Sequence, residues 1–271
     1  IEQSIPAKPT TIYRIASISK TITATALMQL WEAGKFDLDS DIGIYLGYPV
    51  RNPHYPDIPI TFRMLLTHTS GLLDTGGYAR AINSLQPPAL QEILLPGKSS
   101  STASNWAGFP PGSGYHYSNF GFGIIGCLIE ILSGESFDRY TVNHIFKPLQ
   151  MDASFVPADL EHYLDIAVLY EKSGNGKFYP ACDYYPKNCR PLRKVRRHPL
   201  GNYYIGPAGA VRTSALDLAK FMLAHLHRGN YGGVRILQPA TVEQMQQLQW
   251  SGYDSKGILR ETGLGFQISD K

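Results

Sequence analysis

Residues 17–34 have the sequence SISKTITATALMQLWEAG, and this stretch predicts the first helix of the chain. From Ser19 onward the apolar residues recur at helical spacing as far as Trp31. Gly34 follows at the position where a residue in the left-handed conformation commonly ends a helix. We therefore expect a helix that begins near Ser19 and ends before Gly34.

A serine and a lysine stand three residues apart at the start of this helix. At that spacing Ser17 and Lys20 share one helical face. A serine hydroxyl becomes a good nucleophile when a nearby base accepts its proton, and a lysine is such a base when burial lowers its pKa. The pattern Ser-x-x-Lys also occurs by chance, and Ser17 could serve only as the N-cap of the helix.

A second group of polar residues opens the next clear helix. Tyr117-Ser118-Asn119 follows the turn signal Pro110-Pro111-Gly112. Tyr117 could share a proton with Ser17 and Lys20, and Asn119 could orient the lysine or bind a substrate amide. The alternative is that Asn119 is an N-cap and Tyr117 is a packed ring.

Four motifs occur along the chain in a set order and spacing. They are Ser17-Ile18-Ser19-Lys20, then Leu65-Leu66-Thr67-His68-Thr69-Ser70-Gly71-Leu72, then Pro111-Gly112 before Tyr117-Ser118-Asn119, and Gly209-Ala210-Val211-Arg212-Thr213-Ser214 before Asp217. Together they resemble the serine β-lactamase and penicillin-binding protein superfamily. The branch is that of class C β-lactamases, D-aminopeptidases and carboxypeptidases, and family VIII esterases. The resemblance extends from about Thr11 to Phe266.

This resemblance implies a role for each of the polar residues. Ser17 is the catalytic nucleophile that forms an acyl-enzyme, and Lys20 and Tyr117 are catalytic residues that share the proton transfers. Asn119 positions Lys20 and binds substrate. We interpret His68 as structural, because a general-base histidine would compete with Tyr117 for the same role.

A third family motif has no suitable match. The family carries a His or Lys, another residue and a Gly on a strand that lines the cleft. His227-Arg228-Gly229 fits these letters, but it follows a predicted helix and precedes a Gly-rich turn. Relative to the family we expect strands to be missing before Thr11 and after Gly265-Phe266-Gln267-Ile268.

The predicted fold class is α/β of the α+β type, in which an antiparallel sheet is flanked by helices and stands beside a mostly helical region, as in β-lactamases. We expect residues 1–50 and 205–271 to form the α/β region and residues 51–204 to form the helical, loop-rich region. The cleft would lie between them, with Ser17 at its floor. Local patterns predict further helices, most of them with a start or stop signal. They cover residues 62–67 with Thr61 as N-cap, 89–95, 119–132, 137–146, 215–226 with Ser214 as N-cap, and 239–248, and a strand is predicted over 262–268.

Composition and charge exclude several classes of function. The net charge of +3 is too small to imply nucleic-acid binding. Six basic residues lie within 187–197, so the rest of the chain has a net charge of −3. This basic loop could attract an anionic substrate, or it could be a solvated surface loop. No apolar run reaches the length of a membrane span, and we expect none.

The cysteines and histidines bear on compartment and cofactors. A disulfide between Cys182 and Cys189 would suit an exported protein, periplasmic or extracellular, whereas reduced thiols are the alternative. Cys127 is expected to be a small buried apolar residue. The eight histidines are scattered, so we expect no metal site. The pattern Gly121-x-Gly123-x-x-Gly126 has no strand before it, which predicts close helix packing rather than a nucleotide cofactor.

The leading functional hypothesis is a serine hydrolase that acts on a β-lactam, a D-amino-acid peptide or an ester through an acyl-serine intermediate. The substrate would be a small molecule or a peptide. A catalytically silent homologue that binds or senses such ligands is the alternative. The sequence does not determine the oligomeric state.

Overall fold

A computed structural model describes residues 6–84, 86–101, 103–180 and 199–268. The α-helices are α1 Ser19–Glu32, α2 Ile42–Leu46, α3 Phe62–Leu66, α4 Gly76–Ile82, α5 Leu90–Leu94, α6 Asn119–Ser133, α7 Phe137–Thr141, α8 Ala215–Leu226 and α9 Pro239–Gln246. The strands are β1 Ile12–Arg14, β2 Ala153–Ser154, β3 Tyr170–Lys172, β4 Phe178–Pro180, β5 Arg212–Ser214, β6 Asn230–Tyr231, β7 Val234–Arg235, β8 Trp250–Tyr253, β9 Leu259–Thr262 and β10 Gln267–Ile268.

Helix α1 lies at the centre of the core and packs against α6. It is buried on most of its surface, so its inner polar side chains need partners. Ser19 Oγ accepts from the backbone N–H of Val211 at 3.1 Å, and Thr23 Oγ1 donates to the carbonyl of Pro207 at 2.8 Å. The helix ends as predicted, with Gly34 in the left-handed conformation at φ 67°. Its inner polar residues therefore tie it to the segment that leads into β5.

The strands form small antiparallel sheets. β5 is the middle strand of one sheet, with β1 and β2 on either side, and Tyr13 and Ala153 both pair with Thr213. Ser214 then caps α8, because its hydroxyl accepts the N–H of Asp217 at 3.1 Å. Helices flanking small antiparallel sheets confirm the predicted fold class. The division into segments 1–50 with 205–271 and 51–204 stays a prediction.

The end of the described chain differs from the prediction. The single strand expected over 262–268 is wrong, because β9 ends at Thr262 and a turn follows, closed by the bond from Gly263 N–H to the Phe266 carbonyl at 2.8 Å. Gly265 lies in this turn at φ 79°, and a Cβ there would lie 2.4 Å from the Cβ of Ala24. The glycine permits this turn to lie against α1. The β8–β9 hairpin before it was not predicted.

Helix α6 explains two features of the sequence. Its N-cap is Ser118, whose hydroxyl accepts the N–H of Gly121 at 3.0 Å, so the alternative that Asn119 is the N-cap is wrong. The predicted close packing of the glycines is confirmed, since a Cβ on Gly123 would lie 2.0 Å from the carbonyl oxygen of Tyr204. The helix ends at Gly134 in the left-handed conformation.

The remaining predicted helices are present with small changes at their ends. Thr61 caps α3 by accepting the N–H of Met64, as expected. The helix predicted over 137–146 is α-helical to Thr141 and then π-helical over Val142–Phe146. The helix predicted over 239–248 ends at Gln246. Cys127 is fully buried, as predicted.

The remaining predictions concern the cysteine pair, the basic loop and membrane-spanning helices. Cys182, Cys189 and the basic loop 187–197 lie outside the described residues. Within the described ranges no single helix has the length and apolarity to cross a membrane, although the bent pair Asn119–Ser133 and Phe137–Phe146 meets the test by length and composition.

Candidate active site

Ser17 lies in a single 3₁₀ turn, Ala16–Ile18, that leads directly into α1. The N-cap of α1 is Ile18, so the alternative that Ser17 only caps the helix is wrong. Ala16 has φ 46°, a left-handed conformation that is uncommon for a residue with a side chain and is often found beside functional groups. Ser17 is exposed and lines an open cavity of about 460 Å³.

The Lys20 side chain is held by three acceptors. Its Nζ lies 2.7 Å from Asn119 Oδ1, 2.7 Å from the carbonyl oxygen of Ala208, and 3.2 Å from Ser17 Oγ. An ammonium group has three N–H donors, so all three are used. The i, i+3 spacing brings Ser17 and Lys20 into contact because the turn and the helix follow each other without a break.

Burial changes the acid–base behaviour of this lysine. Only 4% of Lys20 is exposed, and desolvation lowers its pKa from 10.5 to about 8, while the negative charge of Asp74 acts in the opposite direction. The lysine nitrogen also lies 4.7 Å from the centre of the Tyr117 ring. A substantial fraction of Lys20 is therefore the neutral amine just above neutral pH.

Tyr117 approaches the serine from the other side. Its hydroxyl donates to Ser17 Oγ at 2.7 Å. Burial raises the pKa of Tyr117 above its ordinary value, so the phenol stays protonated near neutral pH. Tyr117 is 39% exposed, which leaves its hydroxyl at the edge of the cavity rather than packed inside the core. The alternative interpretation, in which Tyr117 is only a packed ring, is therefore wrong.

His68 holds the segment that carries Tyr117. The Nδ1 atom of His68 accepts the N–H of Ser118 at 3.1 Å, and its carbonyl accepts the N–H of His116 at 2.8 Å. The imidazole also packs on the Tyr117 ring, with 4.5 Å between ring centres. Burial lowers the pKa of His68 to about 3, so the ring is neutral. These contacts fit the structural interpretation of His68.

Asn119 joins the lysine to a residue that the sequence did not indicate. Its Oδ1 faces Lys20, and its Nδ2 donates to Asp74 Oδ2 at 2.6 Å. Asp74 also accepts the backbone N–H groups of Asn119 at 3.0 Å and Phe120 at 2.9 Å. Asp74 comes two residues after the Leu-Leu-Thr-His-Thr-Ser-Gly-Leu string, which is the one signal that could have drawn attention to it.

The far wall of the cavity comes from the unpredicted β8–β9 hairpin. Tyr115 pairs with Asp254 in a parallel bridge, and its ring stacks on Trp250 with 6.1 Å between centres. Arg260 forms an ion pair with Asp254 at 2.9 Å. Lys256 also lines the cavity and forms no ion pair within the described part of the chain. Among the described residues, the basic side chains of Lys20, Lys256 and Arg260 and the carboxylate of Asp254 thus line the cavity.

The remaining candidates from the sequence are the third family motif and a metal site. His227-Arg228-Gly229 lies in the turn at the end of α8 and is not among the described residues that line this cavity. Over residues 6–84, 86–101, 103–180 and 199–268, no group of three or more His, Cys, Asp or Glu side chains could hold a metal ion.

The chain is similar to known proteins over its whole length. A family model described as "Beta-lactamase" matches residues 1–271. The serine beta-lactamase-like protein LACTB of Mus musculus, described as mitochondrial, is 25% identical over 84% of this chain and 50% of its own length. The octameric penicillin-binding protein homologue from Pyrococcus abyssi is 27% identical with a TM-score of 0.72, over 99% of this chain and 56% of that one.

A third similarity is to a solved hydrolase. A D-stereospecific amidohydrolase from Streptomyces sp. is 26% identical with a TM-score of 0.63, over 94% of this chain and 70% of that one. The chain spans about half the length of the curated relatives it matches.

Proposed function

Because this chain belongs to the β-lactamase family, we propose that it is an acyl-serine hydrolase in which Ser17 forms the covalent intermediate. One observation carries the proposal. The exposed Ser17 hydroxyl lies in an open cavity, 3.2 Å from the nitrogen of a buried lysine and 2.7 Å from a tyrosine hydroxyl. A nucleophile in contact with a base and a second proton carrier is the arrangement that acyl transfer requires.

Lys20 is the base in this proposal, and its hydrogen bonds supply the reason. The two shorter bonds, both 2.7 Å, go to the Asn119 amide oxygen and the Ala208 carbonyl oxygen, which are acceptors only. A neutral amine has two N–H groups, and these two acceptors use both. The lone pair is then left for the third and longest contact, which is the one to Ser17.

The reaction proceeds in two balanced halves. Ser17 Oγ attacks the acyl carbon while its proton passes to the neutral Lys20 amine. The leaving nitrogen or oxygen takes a proton from the resulting ammonium, directly or through the Tyr117 hydroxyl, as the acyl bond breaks. When the substrate is a β-lactam, the leaving nitrogen stays bonded to the acyl group through the remaining atoms of the opened ring. Water then attacks the acyl-enzyme and gives up a proton to Lys20, and Lys20 passes that proton to Ser17 Oγ as the ester bond breaks, which releases the acid and free Ser17.

The charges of the cavity favour one part of the substrate range. Among the described residues that line it, Arg260 forms an ion pair with Asp254, so Lys256 is the cation that remains when Lys20 is the neutral base. A substrate that carries a carboxylate would gain from this field, whereas a neutral ester would not. We therefore propose a β-lactam or a D-peptide with a free carboxylate in preference to a neutral ester. Export to the periplasm or the cell exterior is part of the proposal, supported by the Cys182 and Cys189 pair.

Covalent labelling of Ser17 tests the proposal. The protein is incubated with a fluorescent penicillin and, separately, with a fluorophosphonate, and its intact mass is measured. Ser17→Ala is the test variant. Ser113→Ala, an exposed serine that does not line the cavity, is the matched control. We expect one adduct per chain in the wild type and in Ser113→Ala, and none in Ser17→Ala.

The two probes also separate the substrate classes. Faster labelling by the penicillin supports the carboxylate-bearing substrate, and faster labelling by the fluorophosphonate supports ester chemistry. A folded protein that gives no adduct with either probe contradicts the enzyme proposal. Saturable penicillin binding without an adduct would then favour the catalytically silent homologue.

A further inference from the structure

Asp74 accepts hydrogen bonds from the start of α6 through both of its carboxylate oxygens. Oδ2 accepts the side-chain Nδ2 of Asn119 at 2.6 Å and the backbone N–H of Asn119 at 3.0 Å. Oδ1 accepts the backbone N–H of Phe120 at 2.9 Å and the Ser118 hydroxyl at 3.4 Å. The first two backbone N–H groups of a helix have no partner within the helix, so the carboxylate satisfies them at the positive end of the helix dipole.

This arrangement determines which way round the Asn119 amide lies. An amide presents an acceptor at one end and a donor at the other, and an ionised carboxylate can only accept. With Asp74 on one side of Asn119, the NH₂ group faces the carboxylate and the oxygen faces Lys20. If the amide were reversed, its NH₂ would point at the lysine nitrogen.

The orientation of this amide decides whether Lys20 can act on Ser17. With the oxygen toward Lys20, Asn119 takes up one N–H of the neutral amine, and the Ala208 carbonyl takes up the other. With the NH₂ toward Lys20, the lone pair would accept from Asn119 and would be lost to Ser17. We propose that Asp74 is a positioning residue that holds the Asn119 oxygen toward Lys20, so that the lysine lone pair faces the nucleophile.

The inference rests on the proposed roles of Ser17 and Lys20, and it is separate from helix capping. Ser118 supplies a control for the capping role, because its hydroxyl caps the same helix at the N–H of Gly121 and also donates to Asp74 Oδ1 at 3.4 Å. Ser118→Ala therefore removes a cap of α6 and the 3.4 Å bond to Oδ1, and it keeps the Asp74 carboxylate whose Oδ2 accepts from Asn119 Nδ2. Asp74→Ala removes that bond, and it also removes the acceptor of the backbone N–H groups of Asn119 and Phe120.

The two roles predict the same change in the pKa of Lys20 but different acylation rates of Ser17. The charge of Asp74 raises the pKa of Lys20, so its removal lowers that pKa further below its ordinary value. If charge were the only effect, Asp74→Ala would hold more neutral lysine at pH 7 and would acylate Ser17 at least as fast as the wild type. If Asp74 positions Asn119, the variant holds more neutral lysine and yet acylates more slowly.

The first measurement needs no catalysis. Lysines are labelled with ¹³C at Cε, the Lys20 signal is identified by its loss in Lys20→Arg, and it is titrated by NMR. We expect the midpoint to fall in Asp74→Ala and to stay in place in Ser118→Ala. Asp74→Asn, which keeps the shape and one acceptor oxygen, is measured as well in case Asp74→Ala does not fold. This titration gives the amount of neutral lysine in each variant, so that a slower acylation can be assigned to the position of Asn119 rather than to charge.

The second measurement is the acylation rate of Ser17 by the penicillin probe, taken above the Lys20 midpoint. We expect a loss of about tenfold or more in Asp74→Ala, the scale of a lost hydrogen bond to a charged group, and no comparable loss in Ser118→Ala. In Asn119→Ala the further change of Asp74 should add little, because one acts through the other. Fully additive losses overturn the inference. A wild type that never acylates contradicts the proposed function instead, whereas a wild type that acylates no faster than a folded Asp74→Ala overturns this inference alone.

Discussion

The dependence of Ser17 acylation on pH follows directly from the burial of Lys20. The lysine pKa is lowered from 10.5 to about 8, and only the neutral amine can accept the serine proton. At that pKa the neutral fraction is about 1% at pH 6, about 9% at pH 7, about 50% at pH 8 and about 90% at pH 9. We expect the acylation rate to rise nearly tenfold per pH unit below pH 7 and to level off by pH 9.

Stopped-flow fluorescence with the penicillin probe measures this rate under single-turnover conditions. The useful control is Tyr117→Phe, which removes the hydroxyl that contacts Ser17 and keeps the ring that lies 4.7 Å from the lysine nitrogen. The pKa of Tyr117 is raised above its ordinary value of 10.0, so the tyrosine does not titrate between pH 6 and pH 9. The variant should therefore acylate more slowly with the same midpoint.

Three results would refute this reasoning. A rate that is still climbing tenfold per unit above pH 9 would mean that Lys20 keeps the pKa of an ordinary lysine. A rate that does not change between pH 6 and pH 9 would mean that no group with a pKa near 8 controls the attack. A midpoint that moves in Tyr117→Phe would assign the base to the tyrosine.

Two further predictions concern stability. Burial lowers the pKa of His225 from 6.5 to about 4, so the unfolded chain takes up a proton before the folded chain as the pH falls. The free energy of unfolding that this histidine contributes is present above pH 6.5 and should be lost toward pH 4, by about 2 kcal/mol between pH 7 and pH 4.5. In urea unfolding, His225→Gln should lose less stability over the same pH range. Gly123→Ala should destabilise the fold by about 1–3 kcal/mol, because its Cβ would lie 2.0 Å from the Tyr204 carbonyl oxygen. Gly121→Ala, where the nearest atom lies at 3.6 Å, should leave stability unchanged or slightly raised.

Each of these predictions has a clear contrary result. If wild type and His225→Gln lose the same stability between pH 7 and pH 4.5, the buried histidine is not the cause of the loss. If Gly123→Ala and Gly121→Ala unfold at the same urea concentration, α6 does not pack against the Tyr204 backbone as closely as described.

Local patterns predicted most of the helices because their signals lie within a few residues of each other. The caps at Thr61 and Ser214 and the end at Gly34 each depend on one or two neighbouring residues. The wrong strand over 262–268 shows the limit of this approach. Its alternating pattern is that of a strand, but the Gly265 turn lies against α1, which is far away in sequence.

The candidate site was predictable only in part. The Ser17 and Lys20 pair follows from helix geometry, and Tyr117 and Asn119 entered through resemblance to a family. Asp74 was missed, because its partners lie about 45 residues further along the chain and no periodic pattern connects them. The hairpin that brings Lys256 and Arg260 to the cavity was missed as well, because its strands are short and partly exposed.

The sequence by itself determined the helices, the family and the identity of the serine and lysine, since these depend on the order of residues and on spacings within one helical turn. The tertiary structure decided the chemistry of the pair. Packing α6 and the Ala208 segment around Lys20 removes water from its ammonium group and lowers its pKa, and Asp74 sets the amide that faces it. Desolvation and hydrogen-bond direction depend on which distant groups meet in space, and that information appears only when the chain is folded.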